Sequence, residues 1–183
     1  MNTATAQAPQ AAHYRNIKLP AIGIALPHLG GGFWGIQAAK PGSGPDYPLI
    51  VPAGPEFEVR GVKWGPYGED IPGAACYWDG LANTNAMLAS GHKHPVLDQL
   101  VALREATGMS DLYLPSLREA KTLFAAGCDA FDKDRWYWTS TQYSRNDAFY
   151  QNFDYGYTGA GSKDWEHGCA RFVRRSSLES LIP

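Results

Sequence analysis

Several features that would place a protein in a familiar class are missing from this sequence. Its 183 residues carry sixteen basic and eighteen acidic side chains, so no broad positive field exists to attract nucleic acid or an anionic membrane surface. No apolar run is long enough to cross a bilayer. The three cysteines, Cys76, Cys128 and Cys169, include no CxxC pair, which excludes a zinc ribbon and a dense disulfide framework. We therefore expect neither nucleic acid nor membrane insertion. We also expect either one disulfide, between Cys128 and Cys169, or three free thiols.

Catalytic motifs are missing as well. The chain contains no GxSxG, HExxH, Walker or GxGxxG sequence, so no nucleophile, base or phosphate loop stands in a recognisable arrangement. His92 and His94, in GHKHP, have the H-x-H spacing of a metal-ligand pair, but no further ligand accompanies them and we expect surface histidines. The sequence therefore predicts a protein that is not an enzyme.

The first half of the chain is rich in glycine and proline. Residues 1–21 are polar and rich in Ala and Gln, without the charged start and apolar core of a secretory signal, and are predicted to form a flexible arm. From residue 22 to about residue 80 the density of Gly and Pro excludes a helical period. Short strands are predicted there, at 33–38, 47–52 and 56–64.

Two helices are predicted in the middle of the chain. Pro95 suits a first helical turn, and it begins an apolar pattern with helical spacing that ends near Gly108. Ser116 and Glu119 form the S-x-x-E capping box of a second helix, which ends at Gly127.

Beyond the helices the apolar period changes to two. Alternation predicts strands at 136–141, 148–153 and 170–175, in which Trp136, Trp138 and Phe172 are largely buried. The predicted fold class is therefore α+β, with antiparallel strands, two helices and long ordered loops.

Four segments of this half, DLYLPSLREAKTLFAA, WYWTST, AFYQNF and ARFVRR, resemble the bacterial and phage domains known as DUF1566. Those domains are related to the C-terminal domain of the Legionella collagen-like adhesin. The earlier GGGFWGI, VKWG, IPGA and GLANT segments are similar to the first half of the family, so the resemblance covers about residues 22–175. Residues 176–183 would then form a C-terminal tail.

The resemblance implies a C-type-lectin-like fold, shared with formylglycine-generating enzymes and with the variable proteins of diversity-generating retroelements. In that fold both termini lie close together, and a loop-rich face presents the ligand site. The formylglycine-generating relatives use two cysteines near the C-terminus, whereas only Cys169 lies in that region here, so their chemistry is not expected.

Aromatic side chains concentrate near the C-terminus, with ten of them in the thirty-two residues from Trp136 to His167. Those on strands are predicted to form the core, whereas those in the loops 142–147 and 154–167 lie among polar residues. Tyr and Trp give rigid contact area, their polar neighbours give adaptable hydrogen bonds, and flat rings stack on sugar faces. The predicted ligand-binding residues are Tyr143, Arg145, Asn146, Asp147, Tyr155, Tyr157, Lys163, Asp164, Trp165, Glu166 and His167. The alternative is a tyrosine-rich loop that packs on its own sheet.

The carboxylates of these loops raise the question of calcium. C-type lectins that use calcium carry Glu-Pro-Asn and Trp-Asn-Asp signatures, and neither occurs in this chain. We therefore expect no cofactor and no metal ion, with bound calcium as the alternative.

These observations together predict a non-enzymatic binding domain. The expected role is a phage or prophage virion protein that recognises a host-surface glycan or protein and contacts other virion proteins through the N-terminal arm, as a monomer or a homo-oligomer. One alternative is a structural virion module, a decoration, tail or baseplate component without a ligand. The other is an adhesin on a bacterial cell surface.

Overall fold

The computed structural model describes residues 18–182, so most of the predicted arm lies outside the described residues. Three α-helices occur in this range: α1 is Gly80–Ala89, α2 is Pro95–Thr107 and α3 is Leu117–Ala125. The prediction of two helices was therefore wrong by one, because α1 was missed. None of the described helices is long and apolar enough to span a bilayer.

The sequence did not predict helix α1, because most residues on its buried face are small or polar. Asp79 caps its first turn by accepting a hydrogen bond from the Ala82 amide, at 2.9 Å. The inward residues include Gly80, Asn83 and Thr84, so no apolar helical period marks the segment. Asn83 instead bonds the backbone of Cys76 through both its amide oxygen and its amide nitrogen.

The two predicted helices are confirmed together with their end signals. Pro95 lies in the first turn of α2, and Gly108 ends it in the left-handed conformation, with φ of 71°. Helix α3 begins with the complete capping box of Ser116 and Glu119. The Glu119 carboxylate also accepts from the Gly80 amide, so it joins the N-termini of α1 and α3.

Residues 18–182 contain nine strands, which form three sheets. They are β1 (Ala25–Leu26), β2 (Gly31–Gln37), β3 (Tyr47–Val51), β4 (Glu58–Val59), β5 (Trp136–Gln142), β6 (Asp147–Asn152), β7 (Thr158–Ser162), β8 (Ala170–Arg171) and β9 (Arg174–Arg175). Their orders are β1-β2-β3-β9, β4-β8 and β5-β6-β7, and every strand pair is antiparallel. The first and last described strands, β1 and β9, form the two edges of the same four-stranded sheet.

Three strand predictions need correction. The predicted strand at 170–175 is divided into β8 and β9, which belong to different sheets. The predicted strand at 56–64 contains a 3-10 helix, Pro55–Phe57, and only the two-residue β4. Conversely, the sequence did not predict β7, which forms inside the predicted loop 154–167. Its sequence, TGAGS, is too rich in glycine to give a strand signal, and pairing with β6 makes it extended.

Strand β5 is covered on both faces, so its alternation does not separate inside from outside. Tyr137 and Trp138 are successive residues on opposite faces and both are buried. The Trp138 indole donates to the Val62 carbonyl at 2.9 Å. The predicted burial of Trp138 and Phe172 is confirmed, whereas Trp136 is only half-buried.

The ends of the described chain also pack. Leu178 and Leu181, in the predicted tail, are buried against Leu26, Phe33 and Ile50 of the four-stranded sheet. All three cysteines are free. Burial raises the pKa of the Cys128 thiol to about 12 and raises that of Cys169 as well.

Candidate functional site

One face of the β5-β6-β7 sheet carries a cluster of aromatic rings, which we call the platform. It consists of Trp136, Tyr150, Tyr155, Tyr157 and Trp165. Trp136 lies 5.0 Å from Tyr150, 6.2 Å from Tyr155 and 5.8 Å from Tyr157, measured between ring centroids. Tyr155 is 63% exposed and Tyr157 is 53% exposed, so the rings face solvent. Clusters of this kind are typical of recognition surfaces.

Two glycines of β7 make room for the Tyr150 ring. Tyr150 lies opposite Gly159 in the sheet register. A Cβ atom on Gly159 would lie 2.6 Å from the Tyr150 hydroxyl oxygen, and one on Gly161 would lie 2.9 Å from its ring. The alternation of glycine in TGAGS therefore leaves one face of β7 bare, and the tyrosine ring covers it.

Asn152 holds the turn that carries Tyr155 and Tyr157. Its backbone N–H donates to the Tyr157 carbonyl, and its side-chain oxygen accepts from the amides of Asp154 and Tyr155. Its side-chain nitrogen donates to two carbonyls in the segment before β5. The turn is thus tied to the strand that carries Trp136, which keeps the rings together.

The platform hydroxyls are free to bond a partner. Within residues 18–182, the phenol groups of Tyr150, Tyr155 and Tyr157 form no hydrogen bond. Burial raises the pKa of Tyr150, and the neighbouring Tyr157 and Tyr155 raise it further, so this phenol keeps its proton at neutral pH. The sequence marked Tyr155 and Tyr157 as site residues, whereas it assigned Tyr150 and Trp136 to the strands and therefore to the core.

A second, smaller aromatic group lies on the opposite face of the same sheet. Phe149 precedes Tyr150 in β6 and therefore points the other way. Tyr143 and Tyr77 pack edge-on against it, with ring centroids at 5.1 Å and 5.4 Å. The structure therefore divides the predicted aromatic site residues, since Tyr143 lies on a different face from Tyr155 and Tyr157.

The turn between β5 and β6 is built from hydrogen bonds within the chain. The Ser144 hydroxyl accepts from the amides of Asn146 and Asp147 and donates to the Asp147 carboxylate. The Arg145 guanidinium donates to the Gly68 carbonyl at 2.8 Å. The predicted polar site residues of this turn therefore hold the loop that also presents Tyr143.

Lys163 is the clearest correction to the predicted site, because its side chain is completely buried. Its ammonium donates to the Glu69 carbonyl at 2.6 Å and to the Gln142 side-chain oxygen at 2.7 Å. It also lies 5.0 Å from the centre of the Trp64 ring. Burial lowers the pKa of Lys163 to about 8. Lys163 therefore attaches the 64–71 loop to the sheet and does not face a ligand.

The remaining predicted residues lie at the edge of the platform. Trp165 is half-buried, with its ring 5.6 Å from that of Trp138, so it belongs partly to the core. His167 packs against Trp165, and Glu166 forms an exposed ion pair with Lys63 at 2.9 Å. The exposed Asp164 carboxylate accepts a short hydrogen bond from the Ser162 hydroxyl.

The two histidines of the H-x-H pair differ in burial, and the described residues contain no group of metal ligands. His94 is buried against Trp64, contrary to the prediction of a surface residue, and desolvation lowers its pKa to about 4. His92 is exposed. Among residues 18–182, no three His, Cys, Asp or Glu side chains are grouped as a metal ion would require.

Several clefts lie outside the platform. One, of about 360 Å³, includes Tyr47, Trp78 and Arg175 in its lining, and another, of about 610 Å³, runs along Gly30 to Gly32 beside Trp34. None of the predicted ligand-binding residues lines either cleft.

Comparison with known proteins adds no assignment. No family model matches the chain, and searches of curated proteins and of solved structures gave no match either.

Proposed function

We propose that this chain is a non-enzymatic binding domain with a C-type-lectin-like fold of the DUF1566 group. In this proposal it belongs to a phage or prophage virion and recognises a host-surface glycan or protein, while residues 1–21 attach it to other virion proteins. The antiparallel sheets with helices, and a first and last described strand within one sheet, support the fold proposal. The sequence resemblance supports the biological setting.

The platform is the observation that carries the proposal. Large aromatic side chains are expected in the core, yet Tyr155 and Tyr157 stand more than half exposed beside Trp136. Rigid rings give contact area with little loss of conformational entropy, which suits a recognition surface. The polar residues of the 142–147 turn serve the fold, so the proposed site is centred on the platform.

The test is a paired measurement of binding and melting temperature on a panel of bacterial cells. Tyr155→Ala and Tyr157→Ala are each expected to weaken binding by about 1 to 3 kcal/mol with little change in melting temperature, as for exposed aromatic anchors. Tyr67→Ala is the matched control, because Tyr67 is 56% exposed and lies outside the platform. Tyr143→Ala reports on the opposite face and is expected to bind like the parent.

Two results would contradict the proposal. If both platform variants bind as the parent does, or melt well below it, the rings serve packing and the structural virion module replaces the binding domain. If only Tyr143→Ala loses binding, the recognition surface is the opposite face. Flanking genes separate the biological settings, since tail, baseplate or reverse transcriptase genes support a virion protein and their replacement by surface-export genes supports an adhesin.

A further inference from the structure

We propose that the platform binds a neutral saccharide in the corner between Trp136, Tyr155 and Tyr157, without a metal ion. The inference rests on the proposed function and names the chemical class of its ligand. It is carried by the ring geometry, the unpartnered hydroxyls and the pre-formed turn.

Tyr155 and Tyr157 both meet Trp136 edge to face, and the three rings together form the corner. The ring planes of Tyr155 and Tyr157 stand at 85° and 89° to that of Trp136, with centroids about 6 Å away. The two tyrosines are tilted by 45° to each other, at 6.5 Å. A pyranose ring has an apolar C–H face and a rim of hydroxyl groups. One aromatic ring can stack on that face while the others contact its edge.

The phenol hydroxyls supply the polar contacts that a saccharide rim needs. The hydroxyl groups of Tyr150, Tyr155 and Tyr157 have no hydrogen-bond partner within residues 18–182, and that of Tyr150 extends over the bare face of Gly159. A phenol can donate one hydrogen bond and also accept, as sugar hydroxyls do. A mainly aromatic surface with a few polar groups is the usual composition of a small-molecule site.

The charge of the corner favours a neutral ligand. No cation stacks on a platform ring in the described chain, since the cation–aromatic contacts involve Trp78, Trp64 and Tyr47. Arg135, the cation that precedes Trp136 in the chain, is paired with Asp132, and Lys63 is paired with Glu166, which follows Trp165. An anionic ligand would therefore compete with a carboxylate for each of these cations, whereas a neutral ring needs no charged partner.

The corner is held in place before a ligand arrives. Asn152 ties the tyrosine turn to the start of β5 through its amide and its side chain. Gly156 lies in this turn with φ of 76°, where other residues are strained. Gly159 leaves the space into which the Tyr150 hydroxyl extends. Pre-organisation of this kind lowers the entropy lost on binding.

The test uses neutral oligosaccharides of glucose, galactose, mannose and N-acetylglucosamine, offered to the whole chain in the presence of EDTA. Binding is followed by saturation-transfer NMR and by titration calorimetry. At least one of these sugars is expected to bind, with transfer to its ring C–H protons. Tyr157→Phe, which removes one hydroxyl, should weaken binding severalfold. Gly159→Ala should weaken it at least tenfold, because the new methyl group displaces the Tyr150 ring.

Ala160→Ser is the matched control, because Ala160 is the next residue of β7 and faces the opposite side. It is expected to bind like the parent, and binding that falls equally in this variant would contradict the assigned face. Sugar binding that requires calcium, or that occurs only with sulfated or uronic saccharides, would overturn the inference. If no neutral sugar binds while Tyr155→Ala and Tyr157→Ala still reduce binding to cells, the saccharide inference fails and the proposed function stands. Failure of both assays would remove the proposed function as well.

Discussion

Replacement of Lys163 by Met is the sharpest test of the packing described above, because it keeps an unbranched side chain only one atom shorter and removes the buried amine. Lys163 is fully buried, and desolvation lowers its pKa from 10.5 to about 8. Between these two values the unfolded chain holds the proton while the folded chain has released it. The unfolded state then binds more protons, so the free energy of unfolding rises with pH across this window.

The expected size follows from the two pKa values. With about 8 in the folded state and 10.5 in the unfolded chain, linkage predicts that Lys163 adds about 2 kcal/mol to the free energy of unfolding between about pH 7 and about pH 9.5. The neutral amine still has two N–H groups for the Glu69 carbonyl and the Gln142 side chain, so the loop stays attached.

The assay is urea unfolding at about pH 7 and about pH 9.5 for the parent, Lys163→Met and Lys121→Met. The parent minus Lys163→Met difference isolates this residue, because the buried thiols titrate in both proteins. That difference should move by about 2 kcal/mol in favour of the parent as the pH rises. Lys121 is exposed on α3, so its substitution should leave the parent's pH dependence intact. Equal pH dependence of the parent and Lys163→Met would refute the reasoning.

Three further predictions concern the core and are checked by urea unfolding. Trp138→Ala should lose about 3 to 5 kcal/mol, because the buried indole fills the space between β5 and the 62–64 segment; a loss below about 1 kcal/mol would contradict its place in the core. Glu119→Ala should lose more than about 3 kcal/mol, because two backbone amides and two tyrosine hydroxyls lose their acceptor, whereas Glu105→Ala on the exposed face of α2 should lose little. His94 takes up its proton at about pH 4 in the fold but near pH 6.5 when unfolded, so the parent should lose up to about 3 kcal/mol relative to His94→Asn as pH falls through this window, and a parallel pH response would contradict its burial.

The sequence predicted which types of residue form much of the candidate site, but not how they are arranged. The aromatic content of the C-terminal region is visible in the sequence, and Tyr155 and Tyr157 are exposed where the loop prediction places them. Lys163 was assigned to the same surface because it follows a glycine-rich segment with no period. Its partners are the Glu69 carbonyl, 94 residues away, and Gln142, 21 residues away, and no local pattern reports such contacts.

The sequence by itself determined the elements whose signals are local. Helices α2 and α3 begin and end at the predicted proline, capping box and glycine, because these interactions join residues no more than four positions apart. The alternation of β5 and β6 likewise predicted strands, because side-chain direction in a strand depends only on neighbouring residues.

Only the tertiary structure decided which side chains are covered and which rings share a face. Helix α1 forms although its inner face is polar, because partners from β5 and the 75–76 turn satisfy Asn83. Tyr143 packs on Phe149 and Tyr157 packs on Trp136, so the two tyrosines lie on opposite faces of one sheet. The platform exists because Gly159 and Gly161 leave β7 bare beneath Tyr150. Burial and exposure depend on segments that meet across the fold, so the residue pattern alone does not encode them.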